Sequence, residues 1–164
     1  MADLQTPLAP SSFSIDLDGT GVLSLQSVKV PEYKPKLAGE AAVVGSGKDG
    51  KSERQINSAG FEEVVTFDLV CLSSPSPTSA SVAMWKWFKA CLPPTDGGEG
   101  KWADSKKTGS IFAYNNANDI VAQWDFKEAW PSKMSIAELD VNGKDYLKET
   151  WTIVCENCTR VGDE

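Results

Sequence analysis

The chain has 164 residues, 41% of them hydrophobic, which is enough for one domain with a buried core, so we predict a single domain over 1–164. Its net charge of −7 disfavours a surface that binds nucleic-acid phosphates, because such binding depends on clustered lysine and arginine. The sequence contains no histidine, which removes the commonest general base and excludes Ser-His-Asp and Cys-His catalysis.

No targeting or membrane-spanning segment is predicted. No apolar run approaches the roughly 20 residues that cross a bilayer, and Met1-Ala2-Asp3-Leu4 lacks the basic and apolar regions of a secretory signal. We therefore expect a cytoplasmic protein that does not insert into a membrane.

The beginning of the chain predicts an arm and a β-hairpin. Residues 1–11 are rich in proline and serine and are expected to be extended. Apolar and polar residues then alternate over 13–17, as in a half-buried strand. Asp18-Gly19 predicts a turn into a second strand over 21–30.

A long polar segment, 34–60, follows this hairpin. Only 41–44 is expected to pair as a short strand, and loops longer than about 12–15 residues are usually functional or disordered. The segment carries five cations against three acids in a chain of net charge −7. A cationic loop on an acidic body suits docking on another copy of that body, although a solvated loop also fits the sequence. The candidate interface residues are Lys36, Glu40, Lys48, Asp49, Lys51, Glu53 and Arg54.

The middle of the chain predicts one strand and one helix. Apolar residues alternate along Phe61–Leu72. Ser76-Pro77 then supplies an N-cap and a proline for the first helical position, and Pro93-Pro94 ends the helical pattern. We predict a helix over 78–92 packed on the sheet. Its apolar residues at helical spacing are Val82, Trp85, Phe88 and Leu92, and its aromatic residues are expected in the core.

Strand patterns dominate the rest of the chain. A short strand is predicted at Ile111–Tyr114, and apolar residues alternate along Ile120–Phe126. Trp130-Pro131 is expected to end that second strand, because proline cannot donate to a ladder. A further short strand is predicted around Met134–Leu139.

The last predicted elements are a turn and a long strand. Asn142-Gly143 supplies residues that tolerate the positive φ of a tight reversal. The strand over Leu147–Cys155 has one apolar face, which Glu149 interrupts. That face comprises Leu147, Trp151, Ile153 and Cys155.

This C-terminal pattern resembles the tail tube proteins of contractile phages and the inner tube subunits of phage-like contractile injection systems. The resemblance is carried by the run Phe126-Lys127-Glu128-Ala129-Trp130-Pro131, then a short strand, a turn and a closing strand with Glu149. With the upstream elements it covers most of the chain. It implies that Trp130, Pro131 and Glu149 define the fold.

The resemblance also implies a structural role. Members of this family form hexameric rings that stack into a tube inside a contractile sheath, with DNA or protein cargo in the lumen. The implied partners are further copies of the chain and sheath, baseplate and cap proteins, within a phage tail or injection-system particle. An extension at the place of 34–60 contacts neighbouring subunits in this family.

The element order predicts a mainly β fold: an antiparallel β-barrel or sandwich of six to seven strands with one packed α-helix and a long protruding loop. One alternative function is a monomeric β-barrel binding module whose tryptophans stack a small ligand or glycan. Another is an enzyme with paired carboxylates such as Asp125 and Glu128. Nothing convergent surrounds that pair, so no enzyme is expected. The candidate ligand-stacking residues are Trp85, Trp102, Trp124 and Trp130.

The cysteines do not predict a cofactor. A redox Cys-x-x-Cys pair normally begins a helix, whereas Cys155 and Cys158 close a strand. A zinc site would need Cys71 and Cys91, which lack a second Cys-x-x-Cys. The glycines of Gly45-x-Gly-x-x-Gly50 have no βαβ unit around them to bind a dinucleotide. We therefore expect neither a metal nor a cofactor.

Overall fold

A computed structural model describes residues 12–32 and 64–162, and between these ranges the backbone of four further strands. The described part is mainly β with one α-helix, as predicted. Its elements are β1 (Phe13–Leu17), β2 (Gly21–Leu23), β3 (Ser27–Lys29), β4 (Pro35–Gly39), β5 (Gly45–Ser46), β6 (Ser52–Glu53), β7 (Ile56–Phe61), β8 (Val65–Leu72), α1 (Ala80–Cys91), β9 (Lys107–Tyr114), β10 (Ile120–Ile136), β11 (Lys148–Cys155) and β12 (Asn157–Val161).

Two antiparallel sheets share the long strand β10. The strand order is β2-β1-β9-β10-β11-β8-β3, with β12 also paired to β10. We call β2, β1, β9, β12 and the first part of β10 the first sheet, and the end of β10 with β11, β8 and β3 the second sheet. Because β2 and β3 end the order without pairing to each other, the described strands form a sandwich-like fold and not a closed barrel.

The strand β10 does not end at Trp130-Pro131, contrary to the prediction. Pro131 is buried opposite Ile153 of β11, and the strand continues to Ile136. The register with β11 shifts between Pro131 and Lys133, so the missing proline N–H falls at an irregularity of the ladder. The separate strand predicted around Met134–Leu139 is in part the end of β10.

A second irregularity lies just before this proline. The register between β10 and β9 shifts between Phe126 and Ala129, and Glu128 within that shift has a φ of 53°. An extra residue in the left-handed region bends a strand and increases its twist. The bulge therefore lies where β10 passes from the first sheet to the second.

The opening hairpin is confirmed, but its second strand is divided. β1 pairs with β2, and the chain then crosses to the other sheet, where β3 pairs with β8. The Gln26 N–H already donates to the Val70 carbonyl at this crossing. The predicted strand Phe61–Leu72 is likewise divided into the end of β7 and the whole of β8.

The prediction of a largely unpaired loop over 34–60 is wrong for the backbone that the structure describes. β4 pairs antiparallel with β7, and β5 with β6, and neither ladder belongs to the eight-stranded network. The glycines and alanines of segment 34–60 have low strand propensity, so the sequence does not reveal this pairing. The arm 1–11 and the predicted strand 41–44 lie outside the described residues.

The helix α1 begins later than predicted and packs through a different face. Ser79 is its N-cap, and its hydroxyl accepts the Val82 N–H at 3.3 Å. Trp85, predicted in the core, is 49% exposed. The chain makes one further turn before the helix, which starts at Ala80. Counted from Ala80, the residues at i, i+4 and i+7 face the sheets. The buried residues of the helix are Ala80, Ser81, Met84 and Trp87.

The core lies between the two sheets and the helix. The rings of Phe67 and Phe126, one from each sheet, have their centroids 5.0 Å apart. Gly109 of β9 faces this contact, because a Cβ there would meet the Asp16 carbonyl oxygen and lie 2.6 Å from the Phe126 ring. The alternation predicted for β8 and β11 is confirmed, with Phe67, Leu69, Cys71, Trp151, Ile153 and Cys155 buried.

Candidate assembly surfaces

A buried carboxylate connects the helix to the second sheet. Glu149 of β11 is only 8% exposed. Its Oε1 accepts a hydrogen bond from Ser81 Oγ of α1 at 2.9 Å, and its Oε2 accepts from Trp151 Nε1 at 3.3 Å. The Cys71 thiol of β8 lies 3.9 Å from the same Oε2. The residue that interrupts the apolar pattern of the strand is therefore a hydrogen-bonded anchor between three elements.

No disulfide joins the four cysteines, and burial raises the pKa of three of them, Cys71, Cys91 and Cys155. Burial, and then the nearby Glu149 charge, raises the pKa of Cys71 to about 11. Burial, and then the neighbouring Cys158, raises the pKa of Cys155 to about 12. Cys155 ends β11 and Cys158 lies in β12, and both are buried. These environments favour neutral thiols, not reactive thiolates.

Stability is expected to fall as the pH rises above about 9, because thiols of the unfolded chain then lose protons that the folded chain keeps. Each such thiol contributes a slope of about 1.4 kcal/mol per pH unit between its two pKa values. Urea unfolding of the reduced protein from pH 8 to 11 measures this slope. Cys71→Ala should have a flatter slope, and an unchanged slope would contradict the assignment.

Lys106 holds the β10 bulge to two other segments. Its ammonium lies 2.6 Å from the Glu156 carboxylate and 3.5 Å from that of Glu128, and the hydrogen bond to Glu156 raises its pKa. The same ammonium lies 4.6 Å from the ring centroid of Trp102. The ring centroids of Trp102 and Trp130 are 5.9 Å apart, in an edge-to-face arrangement. Trp130 thus belongs to a cluster at the passage between sheets. Sequence reasoning missed Lys106, because Glu156 is 50 residues away along the chain.

The two carboxylates considered as a catalytic pair have separate partners. Asp125 accepts hydrogen bonds from Ser110 Oγ at 2.6 Å and Gln123 Nε2 at 2.8 Å. Glu128 pairs with Lys106. Both carboxylates are thus engaged in contacts that connect strands, and the structure does not bring them together as an acid and base.

Three of the four tryptophans considered as ligand-stacking residues pack against other rings. Trp85 contacts Phe88 and Trp151, and Trp102 contacts Trp130. An open groove of about 650 Å³ lies between α1 and the β1–β2 hairpin. Its lining includes none of the four candidates, Trp85, Trp102, Trp124 and Trp130. They therefore do not converge on this groove.

The outer face of the first sheet is polar. Paired residues share a face of a sheet, so the register places Asp16, Ser110, Asp125 and Thr159 in one row across four strands. The next row contains Ser14, Phe112, Gln123 and Val161. This face therefore carries mainly hydroxyl, amide and carboxylate groups.

The connection from β10 to β11 exposes apolar side chains. We call residues 137–147 the acidic loop, because Glu138, Asp140 and Asp145 oppose one cation, Lys144. The predicted turn is confirmed by a hydrogen bond from the Gly143 N–H to the Asp140 carbonyl at 3.0 Å, but neither Asn142 nor Gly143 has a positive φ. The most exposed apolar residues here are Leu139 (80%), Val141 (102%) and Tyr146 (81%).

The predicted interface residues fall within or next to the paired strands of 35–61. The backbone of Lys36 lies in β4 and that of Glu53 in β6. Five others lie outside the described residues: Glu40, Lys48, Asp49, Lys51 and Arg54.

Two further kinds of site are absent from the part of the chain that the structure describes. No group of three or more Cys, Asp or Glu side chains there is arranged to hold a metal ion. No helix in those ranges is long and apolar enough to cross a membrane.

Several solved structures share the fold of this chain at low sequence identity. A chain in the structure of the anti-feeding prophage cap matches with a TM-score of 0.71 at 16% identity, covering 98% of both chains. A chain in the extended sheath–tube complex of the PVC extracellular contractile injection system matches with a TM-score of 0.58 at 14% identity, covering 96% of this chain and 93% of that one. Hcp1 from Flavobacterium johnsoniae matches with a TM-score of 0.50 at 17% identity, covering 92% and 95%.

Sequence comparison assigns the family. No curated protein matches the sequence at a significant level. A family model described as the T4-like virus tail tube protein gp19 matches residues 10–159, which is well over half of the chain. The C-terminal run that carries the resemblance lies within this match, and the family is one of structural tail tube proteins. The chain belongs to the T4-like virus tail tube protein gp19 family.

Proposed function

We propose that this chain forms hexameric rings that stack into the inner tube of a contractile tail or injection system. The observation that carries the proposal is the family match over residues 10–159. The shared fold with a chain of a tube-terminating cap and a chain of the sheath–tube complex of a contractile injection system, over nearly the whole length, supports it. The tube would be a conduit for DNA or protein cargo, and its subunit would perform no chemistry.

The ends of the sheets support ring formation. β2 and β3 each pair on one side only in the described network, and β12 pairs only with β10. Unpaired edges of this kind are ready to pair with another chain. Head-to-tail contacts between two different edges of identical subunits generate a ring when the rotation closes.

The outer face of the first sheet has the chemistry of a lumen lining. Its central row carries Asp16 and Asp125 among hydroxyl groups, and Lys127 at the end of the sheet is the one cation that the register places on it among the described strands. A polar and weakly acidic surface repels a polyanion and so lets it slide. We assign this face to the lumen for that reason.

The paired strands of 35–61 are proposed to contact a neighbouring subunit. The candidate residues Lys36, Glu40, Lys48, Asp49, Lys51, Glu53 and Arg54 belong to this extension, whose charge is opposite to that of the whole chain. Sheath, baseplate and cap proteins are the proposed further partners, because structures of the same fold come from a sheath–tube complex, a baseplate and a cap. The assembled particle would be built in the cytoplasm.

Replacing Lys48, Lys51 and Arg54 together with glutamate should weaken ring stacking and leave the fold intact, because the variant reverses the net charge of segment 34–60 and replaces no residue of the described core. The measurement is the fraction of protein in tubes by negative-stain microscopy, with circular dichroism as the test of folding. Glutamate at three exposed lysines outside the extension, Lys89, Lys101 and Lys133, is the matched control. Unchanged assembly of the first variant would refute the docking role.

The oligomeric state tests the proposed function as a whole. Size-exclusion chromatography with light scattering and negative-stain microscopy of the purified chain should show rings or tubes as the concentration rises. A monomer at every concentration that binds a glycan or small ligand would instead support the binding-module alternative.

A further inference from the structure

The acidic loop is an apolar surface without a partner in the described part of the chain. Leu139, Val141 and Tyr146 are almost fully exposed within one short connection. Folded proteins seldom leave adjoining large apolar side chains in water, and such patches mark interaction sites. The Ala137 N–H donates to the Lys148 carbonyl at 3.0 Å, so the loop projects from a fixed base.

The groove between α1 and the β1–β2 hairpin, which we call the helix groove, is a second open surface. Its lining includes the buried Leu23 and Trp87 and the half-buried Ala83 and Ala90, so its floor is apolar. The floor is held in place, because Trp87 Nε1 donates to the Ser105 carbonyl at 2.6 Å. Its volume of about 650 Å³ lies within the range of about 300–1,000 Å³ for sites that enclose a ligand, which gives room for several side chains.

The helix groove also carries positive charge. Lys86 and Lys107 line it, against one acid, Asp104. Lys86 is exposed and has no ion pair with any acid among the described residues. The Lys107 ammonium is fixed, because it donates to the Asp18 carbonyl at 2.8 Å. The groove therefore presents cations beside an apolar floor.

The acidic loop has the complementary chemistry. Glu138, Asp140 and Asp145 have no ion pair with any cation in the ranges that the structure describes. Three acids against Lys144 make residues 137–147 negative. Opposite charges on two surfaces favour their contact and select the correct partner. The loop and the groove thus match both in charge and in their apolar side chains.

The strand order indicates that the partner is a second copy. The helix groove adjoins β2, because Val22 and Leu23 line it, and β2 is one end of the order β2-β1-β9-β10-β11-β8-β3. The acidic loop lies toward the other end, since the N–H of Ser73, which follows β8, donates to the Leu147 carbonyl at 2.9 Å. Val141 is fully exposed, so it does not fill the groove of its own copy. Head-to-tail contacts join two different surfaces of identical subunits, and these two surfaces are placed for such a contact.

We propose that the acidic loop of one copy docks in the helix groove of the next copy in the ring. The inference rests on the proposed tube function, because it requires a second copy. The apolar side chains of the loop contact the floor of the groove, and its carboxylates face Lys86 and Lys107. Because the two surfaces differ, every subunit both gives and receives this contact, and the contact repeats around the ring.

Photo-crosslinking in assembled protein tests the contact directly. Val141 is replaced by p-benzoylphenylalanine, which should not disturb folding because Val141 is fully exposed. These subunits are assembled with isotope-labelled subunits, so that a crosslink to a labelled peptide joins two copies. We expect labelled peptides that contain residues 19–23, 77–90 or 104–107. The same probe at Ile120, another exposed aliphatic residue, is the control and should not capture them.

A charge swap supplies a second readout. Lys86→Glu should raise the concentration needed for assembly about tenfold, which corresponds to about 1.4 kcal/mol. Adding Glu138→Lys and Asp145→Lys should restore most of the loss, whereas lysine at two exposed acids elsewhere, Glu32 and Asp96, should not. Lys133→Glu, at another exposed lysine, is the matched control for the first change and should have little effect.

The outcomes separate this inference from the proposed function. Tubes in which position 141 captures no labelled peptide, or only peptides outside these three ranges, would assign the loop to another partner. That result, or a charge swap without rescue, would overturn the docking and leave the tube function in place. Absence of rings and tubes from the unsubstituted chain would overturn both.

Discussion

Replacing Trp151 with alanine is expected to lower the free energy of unfolding by about 4 kcal/mol, within the range for large-to-small changes of buried aromatic residues. Trp151 is fully buried, and its ring meets the edges of Trp85 and Phe88 at centroid distances of 6.0 and 5.6 Å. It therefore joins β11 to α1. A loss of this size is a large share of the stability of an ordinary domain.

The measurement is urea unfolding followed by circular dichroism at a concentration where the subunit is unassembled, because assembly adds apparent stability. Trp85→Ala is the matched control: it removes the other tryptophan of the same ring contact, but one that is half exposed. It should cost about 1 kcal/mol, in the range of an aromatic pair. Equal losses in the two variants would contradict the central position of Trp151.

Strands can be predicted from this sequence where one face is apolar and its neighbours are polar. Phe67, Leu69 and Cys71 show this alternation in β8, and all three are buried. The same rule failed over 34–60, where small residues hide the backbone pairing of β4 with β7. Alternation reports burial of side chains, so it cannot detect a ladder whose residues lack large apolar groups.

The passage of β10 between sheets could not be predicted from local rules. Local rules predict that Pro131 ends the strand, because proline cannot donate a backbone hydrogen bond. The strand survives because the register shifts next to Pro131 and because Glu128 forms a bulge just before it. Both features depend on which strands lie alongside, and Lys106, which holds the bulge, comes from a distant segment.

The acidic loop shows a related limit for exposed side chains. The sequence predicts a short strand and a tight turn here, and nothing in the spacing of the residues distinguishes an exposed Leu139 from a buried one. The distinction comes from the end of β10 at Ile136, which leaves the following apolar residues without a sheet to pack on. Exposed apolar residues of this kind are hidden from sequence patterns, because they look like core residues.

Replacing Glu149 with leucine is expected to lower the free energy of unfolding by about 3 kcal/mol, although leucine suits the apolar face of β11 better. The Ser81 hydroxyl and the Trp151 indole N–H would lose their acceptor inside the core, and each unpaired buried donor costs about 1–3 kcal/mol. Glu149→Gln should cost only about 1 kcal/mol, because its amide can still accept from Trp151 and pair with Ser81.

A double-mutant cycle separates the hydrogen bonds from other effects of the substitution. Ser81→Ala alone should cost about 1 kcal/mol, and the double variant Ser81→Ala with Glu149→Leu should be more stable than the sum of the single losses implies. The coupling is expected because removing Ser81 Oγ also removes one of the donors that leucine leaves unpaired. If Glu149→Leu is neutral, or if the two losses simply add, then the carboxylate does not anchor α1 to the second sheet, and the interruption in the strand has no structural role there.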